Sequence, residues 1–135
     1  MPFAPKILYV DDDQDSCDLM GLLIRQEYED CEVIAVSSSN RAVVLIRDLS
    51  FDLYILDSRL PGLSGVDLCR LIRENGRSQP VMFFSAMARP SDRKAAMNAG
   101  ANAYLVKPND LDALTPTVRR LLEESNPFAA KPIAA

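Results

Sequence analysis

Residues 53–65 read LYILDSRLPGLSG, and the rest of the chain is best read outward from this stretch. Four apolar residues, Leu53, Tyr54, Ile55 and Leu56, stop abruptly at Asp57. A loop carrying Pro61, Gly62 and Gly65 follows before helical periodicity resumes. A strand with no polar face is one buried on both sides, as in the parallel sheets of α/β proteins. Open sheets of that kind bind ligands beyond the carboxyl ends of their strands, which is where Asp57 stands. Asp is equally at home as the residue that ends a strand and opens a turn, so this stretch alone leaves both readings open.

The flanking sequence repeats the pattern. Residues 6–10 (KILYV) form an apolar run that stops at Asp11, and residues 15–27 carry Leu19, Met20, Leu23 and Ile24 at helical spacing with acids at the amino end. Residues 32–37 (EVIAVS) predict a second strand. Ser38 or Ser39 is positioned to cap a helix bearing Ala42, Val43, Leu45, Ile46 and Leu49. Ser64 predicts the cap of a third helix, with Val66, Leu68, Cys69, Leu71 and Ile72 on its apolar face and Asn75-Gly76 at its end. Residues 80–86 (PVMFFSA) and 103–107 (AYLVK) predict strands four and five, separated by a helix opening at Pro90 and closed by Gly100. The last helix carries Leu111, Leu114, Val118, Leu121 and Leu122. Pro116 leaves two options, a helix starting near Thr115 with Pro116 at its first position, or an irregular first turn. Five apolar strands alternating with five helices predict a doubly wound parallel sheet covered on both faces. In the order 2-1-3-4-5 the first and third strands are neighbours, so Asp11 and Asp12 lie beside Asp57.

Bulk composition narrows the chemistry. With 135 residues, 48% hydrophobic and 25% charged, the chain has the make-up of one ordinary globular domain. A net charge of −4 argues against phosphate-tracking nucleic-acid binding, and no apolar run approaches membrane-spanning length. Five of the 19 acids, Asp11, Asp12, Asp13, Asp15 and Asp18, fall within eight residues, so the acidity has a local cause. There is no histidine, and the three cysteines, Cys17, Cys31 and Cys69, form no CxxC pair. That removes zinc-finger sites and histidine-based acid/base or phosphohistidine chemistry on this chain. Cys17 and Cys69 fall within apolar helical patterns and read as core thiols of a cytoplasmic protein.

Four of the five predicted strands end in polar groups that face one crevice: Asp11 with Asp12, Asp57, Ser85, and Lys107. Each has an ordinary explanation by itself, as a helix cap, a strand end or a solvated lysine. Together they place three carboxylates side by side, which repel unless a cation joins them. Oxygen ligands without His or Cys suit Mg²⁺, which keeps waters and phosphoryl oxygens in its remaining positions. Three carboxylates, one divalent cation and one lysine sum to zero formal charge, and a phosphoryl group then approaches a carboxylate without net repulsion.

These motifs, ILYVDDD, LDSRLPGLSG, FFSA and AYLVKP, stand in order over residues 5–124, and there the chain resembles the receiver domain of two-component response regulators, in its chemotaxis-regulator-like single-domain form. The resemblance implies a flavodoxin-like fold with Asp57 as phosphoacceptor and Asp11 and Asp12 as the acidic pair, Asp12 being the more direct metal ligand. It implies a further ligand from the Arg59 backbone carbonyl, Ser85 on a phosphoryl oxygen, and Lys107 paired with phosphate. Tyr104 matches the aromatic switch position, which turns inward as the Ser85 hydroxyl moves toward phosphate. A third acid, Asp13, allows the pair to slip by one, although Val10 as the last apolar strand residue favours Asp11 and Asp12; Asp13 itself reads as a helix-start residue. Arg59 and Met87 lie two residues past the acceptor and the hydroxyl, positions that influence phosphate lifetime in this family, and small Ala86 leaves a path to Asp57.

The implied function is a phosphorylation switch. A partner phosphohistidine, on a sensor histidine kinase or histidine phosphotransfer protein, donates to Asp57, and the domain, which assists only its own chemistry, changes its affinity for a target protein or an output domain. The family's output face places Arg89, Arg93, Lys94, Arg119 and Arg120 near such a target, while the first helix and the acceptor loops meet the kinase. Two alternatives are a haloacid-dehalogenase-type phosphatase using Asp11 and Asp13, and a docking module that never uses phosphate. The phosphatase fits less well, because position 15 is Asp where that motif has Thr or Val. Residues 1–124 read as the domain and 125–135 as a tail or linker stub.

Overall fold

Side chains along each strand alternate between two apolar layers, which is why the strands carry no polar face. The computed structural model describes residues 3–126. Its elements are β1 (Lys6–Val10), α1 (Gln14–Glu27), β2 (Glu32–Val36), α2 (Ser39–Asp48), β3 (Leu53–Leu56), α3 (Gly65–Glu74), β4 (Val81–Ser85), α4 (Pro90–Asn98), β5 (Ala103–Val106) and α5 (Leu114–Ser125). The five strands are parallel in the order β2-β1-β3-β4-β5, the predicted topology. Ile7, Tyr9, Leu53, Ile55, Met82 and Phe84 enter a layer closed by Met20 and Ile24 of α1 and by Leu114, Val118 and Leu122 of α5. Leu8, Val10, Tyr54, Leu56, Val81 and Phe83 enter the other, closed by Ile46 of α2, Leu68 and Ile72 of α3 and Ala96 of α4. Each large side chain so buried is worth ~1.5–3 kcal/mol, and drawing them from both faces holds the sheet rigid beneath its loops.

Local signals set most boundaries. Ser38, not Ser39, caps α2, accepting a hydrogen bond from Arg41 N at 3.4 Å. Ser64 and Asp67 form a reciprocal capping box at the start of α3. Gly76 (φ +74°) follows the last turn of α3 and Gly100 (φ +110°) that of α4, each in the left-handed region that glycine tolerates. The irregular option holds for the last helix: a 3-10 turn, Leu111–Ala113, precedes α5, and Pro116 is the third helical residue. Its missing N–H is among the first four, which no helix bonds internally, so the position costs little. The helix runs to Ser125, one residue past the expected domain end, and residues 127–135 of the expected tail lie outside the described residues. Cys17 and Cys69 are buried and Cys31 half-buried, all as free thiols. Among the described residues no helix is long and apolar enough to cross a membrane.

Candidate functional site

The register that sets Val10 opposite Leu56 carries Asp11 and Asp57 to adjacent strand tips. Asp57 N donates to Val10 O at 2.9 Å, and Lys107 N donates to Ser85 O at 2.9 Å, which fixes the fourth tip to the fifth. One oxygen from each of Asp11, Asp12 and Asp57 lies within 4.8 Å of the others, with Asp11 and Asp57 buried and Asp12 exposed at the rim. Asp11 is crowded with donors. Its Oδ2 accepts from the Tyr9 hydroxyl and from Lys107 Nζ, and its Oδ1 accepts from Asp13 N at 2.9 Å. Lys107 Nζ also lies 3.3 Å from Asp57 Oδ2 and sits over the Phe84 ring, 5.4 Å from its centre.

Electrostatics follow from this crowding. Burial pushes the Asp57 carboxyl above the ordinary Asp range and the Asp11 charge adds to that, against the opposing pull of Lys107. For Lys107, burial favours the neutral amine, but the Asp11 hydrogen bond and the two carboxylate charges outweigh it and the ammonium is held above its ordinary value. Burial and the Asp11 bond raise Tyr9 far above the tyrosine range, so its hydroxyl is a permanent donor. One lysine among three carboxylates leaves an anionic surplus, and an all-oxygen donor set with that surplus fits a hard divalent cation.

An open cleft of about 510 Å³ lies in front of the cluster, lined by Asp12, Asp57, Arg59, Met87, Arg89 and Asp92 together with Ser85, Ala86 and Ala88. Ser85 is buried, and its Oγ accepts from Met87 N at 3.2 Å, which leaves the O–H free to donate into the cleft. Arg59 N reaches Asp57 Oδ1 at 3.4 Å. Tyr104, 4% exposed, stacks on Phe83 with ring centres 5.6 Å apart and planes 11° apart, and its hydroxyl donates to Met87 O at 2.7 Å.

Of the strand-tip residues expected from the sequence, Asp12, Asp57 and Ser85 line the cleft, while Asp11 and Lys107 join Asp57 in the cluster beside it. Asp13 stays out of the acidic cluster; it is the residue before α1 and takes the Ser16 hydroxyl at 2.7 Å, as a helix-start residue would. Arg119 needs correction. Its Nε pairs with Glu27 Oε1 of α1 at 2.7 Å rather than standing with the basic residues of α4, because α1 and α5 cover the same face of the sheet. Arg89 pairs with Asp92, Arg120 with Glu124, and Arg93 donates to Tyr104 O at 3.3 Å, so four of the five expected output cations already have partners.

Three residues that shape the site had no role in it assigned from the sequence. Tyr9 read only as a strand residue, although its i, i+2 relation to Asp11 was a usable signal. Buried Ser39 donates to Pro61 O and accepts from Leu63 N, both at 2.8 Å, and so pins the loop after Asp57. Gly65 lets α3 approach Asp57: a Cβ there would stand 2.1 Å from Asp57 O.

The response regulator receiver domain profile matches residues 7–119. The chain is similar to the DNA-binding response regulator MtrA of Mycolicibacterium paratuberculosis, 31% identical over 121 residues that cover 90% of this chain and 52% of that protein. It therefore spans about half the length of the curated relatives it matches. Among solved structures it resembles the CheY-like receiver domain protein of Methanospirillum hungatei, with a TM-score of 0.82, 25% identity and coverage of 91% of this chain and 97% of that one. It also resembles the receiver domain of the sensor histidine kinase PA1611 of Pseudomonas aeruginosa, with a TM-score of 0.76, 31% identity and coverage of 89% and 98%. That structure carries a magnesium ion coordinated in its active site cleft.

Proposed function

This chain belongs to the response regulator receiver domain family, and we propose that it is a phosphorylation switch whose acceptor is Asp57. The observation that carries the reading is the cluster of three carboxylates with Lys107, set beside an open cleft that Asp12, Asp57 and Ser85 line. The donor is a phosphohistidine on a sensor histidine kinase or histidine phosphotransfer protein. An Asp57 oxygen attacks phosphorus as the P–N bond breaks, and the imidazole nitrogen leaves with the electron pair. Lys107 Nζ, already 3.3 Å from Asp57 Oδ2, balances the charge that arrives, and Ser85 donates its hydroxyl to a phosphoryl oxygen. Mg²⁺, when bound, would supply the remaining charge neutralisation, held by Asp11, Asp12, Asp57 and the Arg59 carbonyl, with Asp12 more direct than Asp11, which Tyr9, Lys107 and Asp13 N orient from behind. Small, exposed Ala86 leaves the approach open.

In this reading the domain is a switch and not an enzyme acting on a separate substrate. Residues 1–124 are the working unit, acting in the cytoplasm and passing the signal, through Ser85 and Tyr104, to a target protein or an output domain with no nucleic-acid or membrane contact of its own. Incubation with a small acyl phosphate and Mg²⁺, followed by intact-mass measurement, tests it. The expected result is one added phosphoryl group on the wild type and none on Asp57→Asn. An unmodified wild type, or an adduct that persists in Asp57→Asn, overturns the reading.

A further inference from the structure

Ser58, the residue immediately after the acceptor, is half-buried, and its Oγ lies 3.1 Å from the Tyr104 hydroxyl, 46 positions away in sequence. Counting protons fixes the direction of that bond. The Tyr104 phenol has one proton, and Met87 O, at 2.7 Å, is a carbonyl that only accepts, so the phenol proton goes to Met87. Ser58 is then the donor to Tyr104. Met87 N in turn donates to Ser85 Oγ at 3.2 Å. The bonds thus link the residue after Asp57, the buried ring, the loop after β4 and the Ser85 hydroxyl, and the two that meet at the Tyr104 hydroxyl run in one direction and reinforce each other.

We propose that Ser58 is a positioning residue that holds Tyr104 inward before any phosphoryl group arrives, so that the resting domain already leans toward its switched arrangement. The inference rests on the reading of Asp57 as acceptor and Tyr104 as switch. The bonds on the ring hydroxyl run to Ser58 and to Met87 O and use no group that phosphorylation creates, so the bias they place on the buried ring does not require a phosphoryl group. Without Ser58 the ring keeps its Met87 bond but loses the hydroxyl directed at its own oxygen. One neutral hydrogen bond corresponds to roughly a 2–12-fold change in the inward-to-outward ratio. A resting state enriched in the inward form also limits how far phosphorylation has left to shift the equilibrium. Ser58 therefore sets the gain of the switch rather than its chemistry.

The test uses the full chain with ring-labelled tyrosine, followed by NMR, with the wild type, Ser58→Ala and Ser58→Thr, each with and without Mg²⁺ and beryllium fluoride as acyl-phosphate mimic. Wild type and Ser58→Thr are expected to show the Tyr104 resonance near its mimic-bound position even without the mimic. Ser58→Ala is expected to move away from it by a roughly 2–12-fold change in population and to return when the mimic is added. An Ser58→Ala resonance identical to the wild type overturns the inference, as does a Ser58→Thr that behaves like Ser58→Ala, or a wild-type ring that moves inward only with the mimic. The two readings fail separately. If the wild type forms no phosphoryl adduct by mass, the acceptor assignment falls; if wild type and Ser58→Ala are modified equally while the Tyr104 resonance is unchanged, only the role of Ser58 falls.

Discussion

Arg73 and Lys107 are half-buried cations at opposite edges of the same sheet, and their surroundings differ in kind. Arg73, at the end of α3, donates through Nε and Nη2 to Gly100 O, through Nη1 to Arg77 O and Gln79 O, and through Nη2 to Asn102 Oδ1. Those bonds use the five donors of a guanidinium on neutral acceptors, and they join the connections before β4 and β5. Lys107 is instead a compact charge shared between two buried carboxylates, with a third at the rim. The first edge is saturated and gains nothing from a further ligand. The second carries an anionic surplus that a hard cation can relieve, so the carboxyl edge is the one left open to a ligand while the amino edge holds the frame.

The difference is broken most strongly at Arg73. Arg73→Ala leaves three partly buried carbonyls without these donors and should lower the unfolding free energy by about 3 kcal/mol in urea titration, while the folded variant keeps its phosphoryl adduct. Loss of the adduct in a folded Arg73→Ala would mean that the two edges are not separate. Next in size is Gly65→Ala, whose Cβ would fall 2.1 Å from Asp57 O. It should cost about 2 kcal/mol and, unlike Arg73→Ala, also slow phosphorylation, since it displaces the acceptor's own backbone. Mg²⁺ at ten times its dissociation constant should stabilise the wild type and Arg73→Ala alike by about 1.4 kcal/mol in thermal melts, and Asp57→Asn much less.

The smallest effect concerns pH. The folded-state value of Asp57 is raised, so its protonated form contributes stability that is fully present below the ordinary Asp value and is lost as pH rises through the folded value. Without metal, Asp57→Asn should therefore gain on the wild type as pH climbs from about 4 toward neutral. Urea denaturation of both proteins across that range measures it. A gap that stays constant with pH would mean that Asp57 is not destabilised by burial and by Asp11.

Much of this was legible in the chain because it is local. β1 and β3 fall at the predicted residues, and Ser64, Asn75 and Gly76 bound α3 as their cap chemistry requires. The strand tips were legible for the same reason, since an apolar run that ends in Asp, Ser or Lys marks where a buried strand meets solvent. What could not be read is which side chains meet across the tips. Ser38 and Ser39 are both acceptable caps by type; only the approach of the loop around Pro61 decides that Ser39 pins it while Ser38 caps the helix. Arg119 looked like a neighbour of the α4 cations until the packing of α5 beside α1 set it against Glu27.

The sequence by itself therefore determined the alternation of buried strands with helices and the set of groups at the strand tips, because strand and helical patterns and cap residues act within a few positions of one another. Only the tertiary structure decided that Asp11 is held by Tyr9 and Lys107, that Gly65 must be small, and that Ser58 donates to Tyr104. The first and third strands meet the fifth only through the assembled sheet, and a hydrogen bond between side chains 46 or 96 positions apart depends on register and crossover geometry that no local pattern encodes.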